Sequence, residues 1–167
     1  LKKINNLNKK FLIMYDTDLI MSLLLIDESD SYEYFCHKYK TSNNLKNRFR
    51  NISKNFKNLK KKSFFTEQNI KKIIYLNGKE NVKDLLLFSK IINNSKESLI
   101  TDKLLKYTET WKIPKFPISG DYLKKYGYES GQALGKKLKI LKEEWIKNDF
   151  FLDKQLLKKS LNKNNYN

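Results

Sequence analysis

Apolar residues recur along most of this chain at spacings of three and four, the period of one helical face. Leu45, Phe49, Ile52, Phe56 and Leu59 form the clearest set, at spacings of 4, 3, 4 and 3, and predict a long amphipathic helix. Leu19, Ile20, Leu23, Leu24 and Ile26 predict a buried helix over 17–26, led in by Asp16-Thr17-Asp18. Residues 27–33 read as an acidic turn region. Thr66 is placed to cap a helix carrying Ile70, Ile73, Ile74 and Leu76, closed near Gly78. Residues 81–92 are Leu-rich on more than one face, as in a helix buried all round, and Asn93-Asn94-Ser95 breaks them. Residues 97–111 place Ile100, Leu104, Tyr107 and Trp111 on one face, and Pro114 ends that run. A last helix is expected over 153–161, with Leu156, Leu157 and Leu161. Residues 1–12 read as a frayed basic start and 162–167 as a loose tail. No alternation of period two persists, and no repeat of fixed period is present. The expected fold class is all-α, with about seven helices in a single helical region over 1–167.

The stretch from Pro114 to Gly135 differs from the rest. It holds both prolines, four of the five glycines and the only alanine, Ala133. Lysine outnumbers arginine 33 to 2, the mark of a coding sequence drawn toward A and T. Codons for Gly, Pro and Ala are GC-rich, so their survival in one window implies backbone geometry that other residues cannot supply. Pro114 and Pro117 keep the start extended. Ser119 is expected to cap a short helix over 120–126, with Gly127 ending it. Ser130 is expected to cap a longer helix to about Asn148, with Leu134, Leu138, Leu141 and Trp145 on one face. Gly131 and Gly135 would then lie on its first two turns, with Lys136 and Lys137 nearby. A helix N-terminus beside lysines suits a phosphate. The competing reading is that these glycines let two helices pack closely.

At 167 residues the chain has the length of about one domain, and 40% apolar content supports a real core. A net charge of +17 and a pI near 9.7 point to an anionic partner, although AT-drawn coding raises lysine without one. Placement discriminates better. From Tyr34 to Thr66 there are ten Lys or Arg and no acid, while all 18 acids lie elsewhere. On the helix over 45–59 and just beyond it, Lys46, Arg50, Lys54, Lys57 and Lys61 fall on one stripe opposite the apolar face. Such a stripe suits RNA phosphates or is a solvated charge face. The single cysteine, Cys36, excludes an intramolecular disulfide and fits a reducing cytosol. Cys36-His37 lacks a second ligand pair, so no metal site is expected. No run approaches the ~20 apolar residues of a membrane span. The expected compartment is cytoplasmic.

Lys115-Phe-Pro-Ile-Ser-Gly-Asp-Tyr-Leu, then Tyr126-Gly-Tyr, then Ser130-Gly-Gln-Ala-Leu-Gly-Lys and Trp145 resemble a known pattern. It is that of the C-terminal part of the class II tRNA nucleotidyltransferase and bacterial poly(A) polymerase family. Thr41–Ile52 and Ile73–Phe88 resemble it more faintly. The chain departs from the pattern at Gly120-Asp121, which lacks an intervening residue, and at Ser130 and Gln132, where the family often has proline. The resemblance implies a helical body and tail that dock tRNA or another RNA. It also implies a catalytic head, using Mg²⁺ and ATP or CTP, that this chain lacks. That head needs a Gly-Ser ahead of an Asp-x-Asp metal pair. Asp16-Thr17-Asp18 has no such context and leads into a helical pattern, so capping by Asp16 or Thr17 is expected there. No catalytic or metal residue is therefore assigned, and no cofactor is expected in this chain. The RNA-contacting residues expected are Lys46, Arg50, Lys54, Lys57, Lys61, Gly131, Lys136 and Lys137. The chain then reads as a fragment or one half of a split enzyme, partnered by tRNA and by a separate catalytic head polypeptide, with no membrane. A free-standing RNA-binding module and a structural helical protein with codon-driven basicity stand beside that reading.

Overall fold

A computed structural model of the protein describes residues 16–93, 98–153, 155, 157, 158 and 161. Among these, every regular element is helical: eight α-helices and one 3₁₀ turn, against about seven expected. They are α1 (Thr17–Leu25), α2 (Ser31–Lys38), α3 (Asn43–Leu59), the 3₁₀ turn (Lys62–Phe64), α4 (Glu67–Asn77), α5 (Lys79–Ile92), α6 (Ser98–Thr110), α7 (Gly120–Lys124) and α8 (Gln132–Lys147). The frayed start over 1–12 and the loose tail over 162–167 lie outside the described residues. Of the last expected helix, positions 155, 157, 158 and 161 are helical. Contacts divide the chain into two compact units, Leu1–Trp111 and Lys112–Asn167.

Short polar side chains start four of the eight helices by accepting from the otherwise unpartnered first-turn amides. Asp16 accepts from the Leu19 amide at 2.8 Å, Ser42 from Leu45 at 3.2 Å, Thr66 from Asn69 at 3.2 Å and Ser119 from Tyr122 at 3.1 Å. The caps expected at Asp16, Thr66 and Ser119 are thus formed. Two expectations need correction. The acidic stretch after Ile26 is a turn only through Asp30, where Ser29 donates to Asp27 and α2 then begins. The helix expected to start at Ser130 instead starts at Gln132, with Gly131 as its N-cap at φ 146° and ψ −163°. That backbone region is one that essentially only glycine enters.

In the first unit α5 is the central helix. It packs against α3, α4 and α6 and buries Val82, Leu85, Leu86, Phe88 and Ile91. This is the burial on several faces that its sequence predicts. α3 lays Phe49, Ile52, Phe56 and Leu59 against it, with Phe56 edge-on to Phe88 at 6.1 Å between centroids. Each such side chain contributes about 1.5–3 kcal/mol when fully buried. α1 and α2 close the same core through Leu19, Leu23, Tyr32 and Cys36. Asparagines tie α3 to the corner between α4 and α5. Asn51 donates to the Asn81 carbonyl at 3.2 Å and accepts from Asn77 at 3.1 Å.

The second unit has its own core of Ile118, Leu123, Leu141, Leu157 and Leu161, with Leu134 and Leu138 against it. Trp145 is also buried, with Phe116 and Phe150 at 5.3 and 5.0 Å between ring centroids. The α8 face read from Leu134, Leu138, Leu141 and Trp145 is the face that packs.

Candidate nucleic-acid interface

α3 is amphipathic, so burying its apolar stripe turns the opposite stripe to water. Lys54, Lys57 and Lys61 are exposed there, while Lys46 and Arg50 are half-buried. Arg50 donates to Asn47 at 3.1 Å. Around this face the acids of the neighbouring turn are engaged. Glu28 pairs with Lys60 at 3.0 Å, and hydrogen bonding and attraction from Lys60, with Lys57 adding to it, hold its carboxyl below the usual range. Tyr32, near Arg50, donates to Glu33 at 2.8 Å. The stripe is therefore a basic surface with one acid, Glu28, brought to its edge by the preceding turn.

The second arginine of the helix does something else. Arg48 forms a two-point clamp on Asp84 of α5, Nε to Oδ2 at 2.5 Å and Nη2 to Oδ1 at 2.7 Å. Its Nη1 reaches Asp16 at 2.7 Å and Asp18 at 3.5 Å. One guanidinium thus joins α1, α3 and α5, and Asp16 serves both as cap and as ion partner. Burial pushes the Asp84 carboxyl above its usual range, with Arg48 pulling against it. For Asp16 burial also pushes upward, but bonds from Arg48 and the Leu19 amide outweigh it and hold its carboxyl below the usual range.

Asp16→Asn preserves the capping oxygen and removes the charge. A carboxyl depressed in the folded state stabilises above its ordinary value and loses that contribution as pH falls through the depressed one. Wild type should exceed Asp16→Asn by about 1 kcal/mol or less at neutral pH, since the pair is half-exposed. The gap should close as pH falls below the ordinary carboxylate range, as read from urea midpoints. A gap of the same size at neutral and at acid pH would contradict the ion-pair role.

In the second unit Gly127, Gly131 and Gly135 are exposed and Gly120 is half-buried. An added Cβ on Gly131 or Gly135 would meet no atom within 4 Å, and on Gly120 it would meet Leu134 Cδ2 at 3.5 Å. Close helix packing thus accounts for neither Gly131 nor Gly135. Lys136 is exposed one turn into α8, and Lys137 is half-buried. Sequence reading missed Arg48 and Asp84. The signal was present: an acid inside the buried run of α5, and an arginine kept where lysine is the rule. A two-point clamp on a carboxylate needs the arginine fork. Among the described residues no group of three or more His, Cys, Asp or Glu is placed to hold a metal ion. Among them, no helix is long and apolar enough to cross a membrane.

Part of the chain matches known proteins. It is 40% identical over 60 residues to CCA tRNA nucleotidyltransferase 1, mitochondrial, of Danio rerio, covering 36% of this chain and 14% of that protein. Against the proteins of the same name from Homo sapiens and Mus musculus it is 41% and 39% identical over 54 residues, covering 32% of this chain and 12% of each relative. About a third of the chain is therefore related to a CCA-adding enzyme, and the matched stretch spans about an eighth of the relatives' length. No family model matches the chain, and no solved structure matches it.

Proposed function

We propose that this chain is the RNA-docking helical body and tail of a class II nucleotidyltransferase, binding tRNA for a catalytic head carried elsewhere, in the same or a separate polypeptide. The observation that carries this reading is the related third of the chain, with relatives whose name gives tRNA as substrate. The all-helical build and the exposed basic stripe on α3 support it. In this reading Mg²⁺, ATP and CTP belong to the head, and Lys46, Arg50, Lys54, Lys57 and Lys61 hold RNA backbone. The α8 start, with Gly131, Lys136 and Lys137, is a further contact for RNA backbone.

Binding to a tRNA lacking its 3′ end tests the reading. Affinity should fall with salt, the log–log slope growing by about 0.7–0.9 per phosphate contact. Lys54→Glu with Lys57→Glu should weaken binding and flatten that slope by roughly 1.5. Equal affinity and slope in the reversed protein would make the stripe a solvated face. The chain by itself, given ATP, CTP, Mg²⁺ and that tRNA, is expected to add no nucleotide. Activity lost on replacing Asp16 and Asp18 together would overturn the assignment of those residues to α1 and Arg48.

Gly131→Ala is a poor probe of the α8 start, because at φ 146° alanine is strained whether or not RNA binds. Gly135 has no positive φ and open space at its Cβ. Gly135→Ala should therefore raise the stability of α8 by up to ~1 kcal/mol. If RNA backbone passes over this turn, the same variant should bind tRNA more weakly. A stabilised variant with unchanged affinity would remove α8 from the interface.

A further inference from the structure

α2, which packs against α3, carries a second feature. Tyr34 and Tyr39 are 68% and 61% exposed, although tyrosine rings gain most by burial. They line a surface groove of about 600 Å³ between the end of α1 and α2. Lys38 projects between the two rings, its Nζ 5.8 Å from the Tyr34 centroid and 5.7 Å from that of Tyr39. Phe35 backs Tyr39 at 4.7 Å, with the rings tilted at 43°. The arrangement is two open aromatic surfaces with one ammonium between them.

We infer that this groove binds two adjacent unpaired nucleotides of a single-stranded RNA segment, one base stacking on Tyr34 and the next on Tyr39, with Lys38 on the phosphate that joins them. The inference rests on the RNA-binding reading above and adds a base-stacking site to it. Three observations favour nucleic acid over an apolar protein segment. First, the ammonium between the rings is paired to aromatic faces and makes no ion pair with a carboxylate among the described residues, so a phosphate can approach it. Secondly, the wall starts the acid-free run that continues into α3. Thirdly, α2 packs against α3, the helix that carries the basic stripe. The turn ahead of α2 supplies Ser29 and Asp30 to the groove, while its Glu28 is held by Lys60 and feels Lys57. Asp30 is the one carboxylate in the wall, and it makes no capping bond to α2. A carboxylate in that place accepts from the exocyclic amine of a base, as it does from cytosine N4. Aromatic stacking of this kind is tolerant of sequence because every base has a π-face.

The test compares a labelled hexanucleotide RNA with the same sugar-phosphate strand made abasic, by fluorescence anisotropy on the full chain. Wild type should bind the base-containing strand at least about fivefold more tightly. Tyr34→Leu with Tyr39→Leu keeps apolar bulk and removes the rings. It should weaken the base-containing strand roughly fivefold to 150-fold per lost stack, while abasic binding and the salt slope stay as in wild type. Tyr34→Phe with Tyr39→Phe should restore binding. Equal binding of both strands by wild type, or equal affinity of the leucine variant for the base-containing strand, overturns the groove site. In either case retained salt-dependent tRNA binding leaves the RNA-docking reading standing. Wild type that binds neither strand nor tRNA overturns both.

Discussion

Replacing Trp145 with alanine is expected to unfold the C-terminal unit and leave the N-terminal one intact. Trp145 is 2% exposed, between Phe116 and Phe150. Truncating a buried tryptophan costs about 3–5 kcal/mol through lost burial and the cavity left behind. At ~0.05–0.15 kcal/mol per residue, a unit the length of Lys112–Asn167 holds only about 3–8 kcal/mol in all. The substitution thus removes most or all of its stability. The chain provides its own control, because its two tryptophans are Trp111 and Trp145. Trp111 packs against the Ile70, Ile74 and Leu86 cluster of the first unit. In the variant, emission from Trp111 should stay native while helical circular dichroism falls by the share of α7 and α8. A single cooperative transition, shifted as a whole and seen equally by both probes, would show that the units do not unfold separately.

Arg48→Ala should be the most damaging surface-to-core change in the first unit. It leaves Asp84, 7% exposed on the central helix, without its counter-charge. Breaking a buried pair from one side costs about 3–5 kcal/mol, since the remaining ion is desolvated and unpaired. Arg48→Lys should recover only part, because an ammonium cannot make both bonds to Asp84. Replacing both partners, Arg48→Met with Asp84→Leu, should recover most of the loss, as no charge is then stranded. The pH dependence has a definite sign. Without Arg48 nothing opposes the burial that already raises the Asp84 carboxyl. The folded variant then takes up a proton more readily than the unfolded chain, so its deficit should shrink as pH falls through that raised value. Urea midpoints across acid pH measure this. A double replacement as unstable as the single one would mean that the clamp is needed for its own interaction.

Periodicity carried most of the fold. Spacings of three and four located α1, α3, α4, α6 and α8, because each buries one stripe and the stripe is written in the order of residues, while α5 was read from a Leu-rich run buried on several faces. α2 was missed since Asp27, Glu28, Asp30 and Glu33 mask a helix that starts only at Ser31, and just Tyr32 and Cys36 of it are buried. Of the candidate interface, the α3 stripe was legible for the same reason as its apolar face. The Arg48 clamp was not, because which of two neighbouring arginines turns inward depends on an acid 36 positions away. The tyrosine groove was equally hidden: exposed aromatics on a short helix have no periodic signature. At the start of α8, sequence placed the cap one residue early, because a serine cap and a glycine cap side by side cannot be told apart without φ.

The glycines turn out to be the record of a natural saturation screen. In a chain drained of GC-rich codons, three positions take φ of 46°, 52° and 64° without glycine: Lys40, Asp149 and Phe150. That is the ordinary left-handed well, where another residue pays only ~1–2 kcal/mol. At the end of α8 the strain is offset, since the Phe150 amide bonds the Trp145 carbonyl at 2.8 Å and its ring stacks edge-on to that tryptophan. Gly78 at φ 86°, ψ 164° and Gly131 at φ 146°, ψ −163° lie outside that well, where substitution has no tolerable outcome. Gly127, at φ 84°, is the third described glycine with positive φ. Gly135 shares none of this: its φ is not positive and an added Cβ would meet open space, so backbone geometry does not explain its survival.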